Sequence, residues 1–480
     1  MRKSLFLIFL VALVALTSAV ASAVDVVLIS EDPYTNASSQ HQTQVEPDTF
    51  AWGNTIVSAF QSGRFYDGGA SNICWATSTD GGVTWTDGCL PSLTTYSTPP
   101  GPYQRASDPV VGYDAEHGVW MINSLGIENA IGVAVVVSRS TDGLNWSAPV
   151  VVSNAGIFGF YDKNWMTCDN WVTSPFYGNC YVEWDDAFAL NKFYMSTSTD
   201  GGVTWGPKKG PSNLLGGLGG QPLAMPNGGV IVPAANLFGT QMLWFGSRDG
   251  GQSWSRTRTI SNINSHTVAG NLRASTFLGS AEIDASGKIY LVWPDCRFRS
   301  GCSSNDLVMS TTTNGSTWTS PVRIPIDPTN STVDHFIPGL AVDRTTSGSS
   351  ARLGLTYYYY PNASCTTSTC QLYVGFTSSM DGGVSWSVAE TVAGPMQLSW
   401  IADTSQGRMV GDYISTSFVG DNAIPVFANA FAPSGGLFQE HSYTALLPVT
   451  ADQEYPLVVA DDPVYYDYPD PILLTPITRP

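Results

Sequence analysis

STDGGVTW, residues Ser78 to Trp85, recurs letter for letter at Ser198 to Trp205. SRDGGQSW (Ser247 to Trp254) and SMDGGVSW (Ser379 to Trp386) are close variants, and STDGLNW (Ser140 to Trp146) and TTNGSTW (Thr312 to Trp318) are one residue shorter. Each copy has a small polar residue, then Asp or Asn, then Gly, then Trp. The carboxylate accepts backbone N–H groups just ahead of it and closes a turn. Gly supplies the positive φ of a tight hairpin. Trp brings a large apolar face to the next layer. Every residue in the motif has a structural reason to be there, so it reads as a turn that builds the fold and not as a catalytic element. Asp80, Asp142, Asp200, Asp249, Asn314 and Asp381 mark the copies, at separations of 62, 58, 49, 65 and 67 residues. One hairpin turn about every sixty residues implies a radial or stacked all-β repeat, with roughly four strands per unit.

The segments between the turns agree. Runs such as VVGYDAEHG, VWMINSLGI and VAVVVSRS alternate side chains and end in Gly, Asn or Asp, as half-buried antiparallel strands do. Three more strand-like runs follow the sixth turn: GRMVGDYISTSF, AIPVFANAF and HSYTALLP. They lack a fourth partner, which VDVVLIS at Val24 to Ser30 can supply. Joining the first strand to the last sheet closes a ring and removes an exposed edge.

The turn resembles the Asp box, or BNR repeat, of sialidases and their relatives, and the resemblance extends over residues 44–446. It implies a β-propeller; the strand-like runs after the sixth box favour seven four-stranded blades, the N-terminal strand closing the last, and six blades, the usual sialidase number, are the alternative. It does not imply sialidase activity, since Asp boxes also occur in propellers with other roles.

The domain reading is a signal peptide over residues 1–23, a propeller over 24–448 and a Pro-, Asp- and Tyr-rich arm over 449–480. Arg2 and Lys3 precede an apolar run from Leu5 to Leu16 and the small residues Ala21-Ser22-Ala23, the pattern of a secretory signal. A retained membrane anchor is the alternative, and no other run is long and apolar enough to span a bilayer. The expected location is extracellular or at the cell surface. In an exported chain, eight Cys imply disulfides. Cys74 and Cys89 flank the first box symmetrically, Cys168 and Cys180 flank Pro175, and Cys296 with Cys302 and Cys365 with Cys370 close short loops. Net charge is −18, with 21 Lys plus Arg and no basic tract, which argues against nucleic-acid binding.

In a propeller the inner-strand starts and the ends of the second strands share the face opposite the boxes, and the site is expected there. The positions include Glu46, Asp48, Arg64, Asp67, Arg105, Asp108, Asp162, Lys163, Asp295, Arg297, Arg408, Asp412 and Tyr413. Sialidase-like hydrolysis requires an arginine cluster for the substrate carboxylate, a Tyr nucleophile activated by Glu and an Asp acid/base. Arg64, Arg105, Arg297, Arg408 and Glu46 are assigned to substrate, and Asp108, Asp412 and Tyr413 to catalysis, with the Tyr357 to Tyr360 run as a second source of the nucleophile. The Phe/Tyr-Arg-Ile-Pro motif that sialidases carry ahead of the first box is missing there. Arg323-Ile324-Pro325 has the letters but lies on an expected outer strand. Simple pairing of Arg64 with Asp67 and Arg297 with Asp295 is the structural alternative. No cofactor is expected; calcium among Asp162, Asp185 and Asp186 is the one metal reading left open. The expected partner is a glycan or glycoprotein, and the expected function is that of a sialidase-like glycoside hydrolase acting on glycans such as sialosides; a non-catalytic glycan- or protein-binding propeller at the cell surface is the alternative.

Overall fold

The computed structural model describes residues 24–450 and the two-residue strand Val458–Val459. The expected signal segment lies outside the described residues, as does most of the expected arm. Val458–Val459 pairs antiparallel with Ser385–Trp386, the last two residues of the sixth box.

The chain is an all-β propeller. Antiparallel strands gather in groups that follow the repeat: Gln44–Trp52, Thr55–Arg64, Ala70–Ser78 and Thr86–Cys89 form one, and Arg105–Asp114, Val119–Glu128, Ile131–Ser140 and Val150–Asn154 the next. The group from Tyr161 to Ser198 has three strands where four are expected. Its outer position is taken by an irregular segment whose Lys209 pairs with Met195 through both backbone groups. The prolines and glycines of GPKKGPSN suit such a segment better than a ladder. In the last group Val26–Ser30 pairs with Leu437–Ala445, which continues through Asn422–Ser434 to Ser415–Val419. The first strand of the described chain thus covers an edge of the last sheet.

The inner strands Gln44–Trp52, Arg105–Asp114, Tyr161–Cys168, Leu223–Ala224, Ser280–Ile283, Asp334–Val342 and Ser415–Val419 each touch the next, and the last touches the first. Polar side chains join them. Asp48 accepts the Val111 N–H at 2.7 Å, Gln221 accepts the Ala281 N–H at 2.7 Å, and Ser415 Oγ donates to the Thr49 carbonyl at 3.2 Å. Apolar cores lie between neighbouring groups; one joins Val110, Met121 and Val135 to Tyr161, Val182 and Trp184.

The boxes build the turns as their composition requires. Asp80 Oδ1 accepts Val83 N–H at 3.1 Å and Thr84 N–H at 2.9 Å, and Thr84 Oγ1 donates to Oδ2 at 2.6 Å. The Trp85 indole donates to the Gly82 carbonyl at 3.1 Å. Gly383, at φ 85°, shows why Gly is needed: L side chains rarely adopt this conformation, and a Cβ there would also meet the terminal methyl of Met309 of the preceding group. Each box leans on the group before it, and the first leans on the last through Ile424. All four expected disulfides are present: Cys74–Cys89, Cys168–Cys180, Cys296–Cys302 and Cys365–Cys370.

Candidate functional site at the channel mouth

Four inner strands break register near their starts, between Val45 and Asp48, Ser107 and Val110, Asp162 and Trp165, and Phe336 and Gly339. In each break a non-glycine residue has positive φ: Glu46 at 59°, Asp108 at 50°, Lys163 at 48° and Ile337 at 50°. Such left-handed residues cost roughly 1–2 kcal/mol apiece. A bulge re-aims the side chain it carries, and three of these four carry charges that meet at one point.

Lys163 is that point. Its ammonium pairs with Asp412, lies 3.4 Å from Asp108 and 3.5 Å from Glu46. Arg273 grips Asp412 from the other side through two nitrogens, Nε donating to Oδ1 at 2.9 Å. Glu46 accepts the Asp412 backbone N–H at 3.2 Å and the Gln61 side-chain amide. Gln61 reaches Ser107, whose hydroxyl donates to Asp108 at 2.5 Å. Arg64 donates to Gln61 Oε1 at 2.9 Å and to the Gly69 carbonyl, so it meets Glu46 only through the amide. Glu46, Asp108 and Asp412 are all buried.

The environment splits the carboxyls. Burial, reinforced by Asp108, pushes Glu46 up to about 7 against the pull of Lys163. Burial also opposes ionisation of Asp412, but Arg273 and Lys163 outweigh it and hold that carboxyl well below its usual range. The carboxylates in turn hold Lys163 well above its ordinary value despite burial. Buried Asp48, next along the strand, is pushed up to about 7 by desolvation. A Glu that exchanges its proton near neutrality beside a permanently ionised Asp is an acid/base arrangement in outline.

Of the expected site residues, the structure brings Glu46, Asp108 and Asp412 together, with Arg64 one amide away. It does not gather the other arginines. Arg105 pairs with Asp67 at 2.6 Å and stacks 4.0 Å over the Phe65 ring, so Asp67 is the partner of Arg105 and not of Arg64. Arg297 pairs with Asp295 at 2.7 Å. Arg408 donates to the Ile401 carbonyl at 2.8 Å. Tyr413 adjoins the cluster, but its hydroxyl donates to the Pro109 carbonyl at 2.9 Å, and burial followed by Glu46 and Asp108 pushes the phenol well above its ordinary value. It remains protonated, the wrong state for a nucleophile. Tyr358 likewise donates to a carbonyl, that of Ala428. Arg323 lies on the short outer strand Val322–Arg323 and pairs with Asp306 and Asp327.

Two members of the cluster escape the sequence reading. Lys163 stands among the scanned positions without a role, and the bulge that turns it inward leaves no mark on its neighbours. Arg273 lies in the long segment between Asn262 and Ser280, with no motif; only its proximity to Asp412, 139 residues away in sequence, reveals it.

The three calcium candidates do separate work. Asp162 accepts the Lys163 N–H, Asp185 accepts Asn191, and Asp186 accepts the Phe160 and Phe188 N–H groups. Asp185 and Asp186 are consecutive in a strand and face opposite ways. Among the described residues, Asp306, Asp327 and His335 are close enough to share an ion, but Arg299 and Arg323 already neutralise both carboxylates.

The fold and the boxes define an Asp-box β-propeller. Residues 121–339 match the BNR repeat-like domain family. No match was found among curated proteins. Among solved structures, the chain is similar to a protein of unknown function from Dyadobacter fermentans, at 15% identity over 89% of this chain and 99% of that one, TM-score 0.46. It is similar to a polysaccharide lyase, an ulvan lyase, at 12% identity over 88% and 96%, TM-score 0.47. It is also similar to the intramolecular trans-sialidase of Ruminococcus gnavus, at 13% identity over 86% and 96%, TM-score 0.41.

Proposed function

We propose that this chain is an exported, seven-bladed propeller that binds glycans without hydrolysing them. The observation that carries the reading is the disposition of the charges. Sialoside hydrolysis calls for several guanidiniums converging on one carboxylate and a Tyr poised to attack. Here Arg105, Arg297 and Arg408 serve separate partners, and the Tyr413 hydroxyl is given to a backbone carbonyl. The charges around Lys163 neutralise one another, and the cavity beside Lys163, Asp412 and Tyr413 measures about 20 Å³, too small for a sugar ring. Those charges tie inner strands together. A glycan fits the chain's acidity and its open aromatic surfaces better than a nucleic acid does.

Glu46 supports a second reading, acid/base catalysis, through its value of about 7 beside ionised Asp412. The deciding experiment combines a glycan array with hydrolysis assays on a fluorogenic sialoside and a panel of nitrophenyl glycosides. Array binding with no turnover is expected. Turnover that disappears in Glu46→Gln would replace the binding reading with the catalytic one.

A further inference from the structure

A cavity of about 450 Å³ opens at the other mouth of the channel, on the side of the boxes. Its walls include the turn after Gln44–Trp52, and the first box sits beside that turn, Gly81 N–H donating to the Asn54 carbonyl at 3.0 Å. The volume is within the roughly 300–1,000 Å³ of small-molecule sites, and no residue of the Lys163 cluster lines it.

Its chemistry is aromatic with an excess of carboxylate. Phe50, Trp52, Trp171 and Phe418 contribute rings. Trp52 is 40% exposed, with one side against Tyr113 at 5.3 Å between centroids. The Trp171 ring is held by its indole N–H, which donates to the Ala224 carbonyl at 2.7 Å. Arg344 lies 4.8 Å over the Phe50 ring and gives Nη2 to Glu282 at 3.3 Å. Arg352 is divided between Asp343 and Asp421. Two guanidiniums thus face three carboxylates, and each guanidinium already has an acidic partner.

We propose that this mouth is the glycan site, and that it takes a neutral saccharide. The inference rests on the glycan-binding reading above. A pyranose presents an apolar face that stacks on the open side of Trp52, and hydroxyls that can both donate to Asp343 and Asp421 and accept from Arg344. A uronate or sulfate would meet carboxylates with no unpaired cation to offset them.

The test titrates the full chain with cellohexaose, xylohexaose, mannohexaose and hexagalacturonate, by calorimetry and tryptophan fluorescence. At least one neutral hexamer is expected to bind. Trp52→Ala should weaken it about tenfold, a stacking-sized effect, while Trp52→Phe, which keeps an aromatic face, retains most of the affinity. Thermal unfolding of both variants establishes that they fold. Neutral binding that Trp52→Ala leaves unchanged would move the site elsewhere and leave the glycan reading standing. Trp52-dependent binding of hexagalacturonate alone would overturn the ligand class. No binding of any of these probes by a chain that binds the glycan array would overturn the neutral-saccharide site and leave the glycan reading standing, and no binding in either experiment would remove both.

Discussion

At the residue scale, the box Asp is a small self-contained device. Asp381 accepts Val384 N–H at 3.0 Å, Ser385 N–H at 2.9 Å and Ser385 Oγ at 2.5 Å. Asp381→Ala removes the carboxylate that accepts these three hydrogen bonds and a fourth from Ser379 Oγ at 2.9 Å, while leaving the glycines free to hold the turn. A loss of about 1–2 kcal/mol is expected, read as a lower urea midpoint at unchanged slope. Gly383→Ala should cost about 1–2 kcal/mol in the same experiment through its positive φ, since the methyl end of Met309 can shift aside. This part of the molecule was legible in the sequence because every partner lies within four residues. The disulfides were legible for the same reason, since each pair is at most 15 residues apart. The capacity of Arg273 to grip Asp412 was not legible, since nothing local encodes it.

At the scale of elements, the four bulged inner strands matter most. They hold Glu46, Asp108 and Lys163 in costly left-handed conformations that bring the three side chains to one point. Asp412→Ala leaves Lys163 and Arg273 buried without their closest carboxylate, and a loss of about 3–5 kcal/mol is expected in equilibrium unfolding. The cluster also sets a pH dependence. Glu46 and Asp48 bind a proton more tightly folded than unfolded, each pushed up to about 7 from 4.5 and 3.8. Their stabilisation is present in full below the unfolded values and is lost as pH rises through about 7. Asp412 has the opposite sign, its contribution present above 3.8 and lost as pH falls below it. Thermal stability should therefore be higher near pH 5 than near pH 8, and Glu46→Gln should shrink that difference. A Glu46→Gln profile that superimposes on the unsubstituted one would remove Glu46 from the account.

At the scale of the whole molecule, closure decides stability. Val26–Ser30 covers the edge that Leu437–Ala445 would otherwise present to solvent. An open edge is a template for pairing between chains. Deleting residues 26–30 should lower the unfolding temperature and produce concentration-dependent association, visible by light scattering. A deletion variant that stayed monomeric and equally stable would show that this strand is dispensable.

The sequence by itself determined the repeat, the turn chemistry, the all-β class and the cysteine pairs, because each depends on residues that are neighbours along the chain. It also marked the mouth where inner strands begin. Only the tertiary structure decided which charges meet there. Arginines 105, 297 and 408 share a face by topology yet separate, because Arg297 and Arg408 find a carboxylate or carbonyl within their own loops and Arg105 finds Asp67 on the neighbouring group. Lys163 and Arg273 converge because two bends, one at a strained bulge and one in an irregular segment, point them at Asp412. The physical reason is range: turns and short disulfide loops close over a few residues, whereas a buried charge cluster is assembled from distant strands and depends on where the whole ring places them.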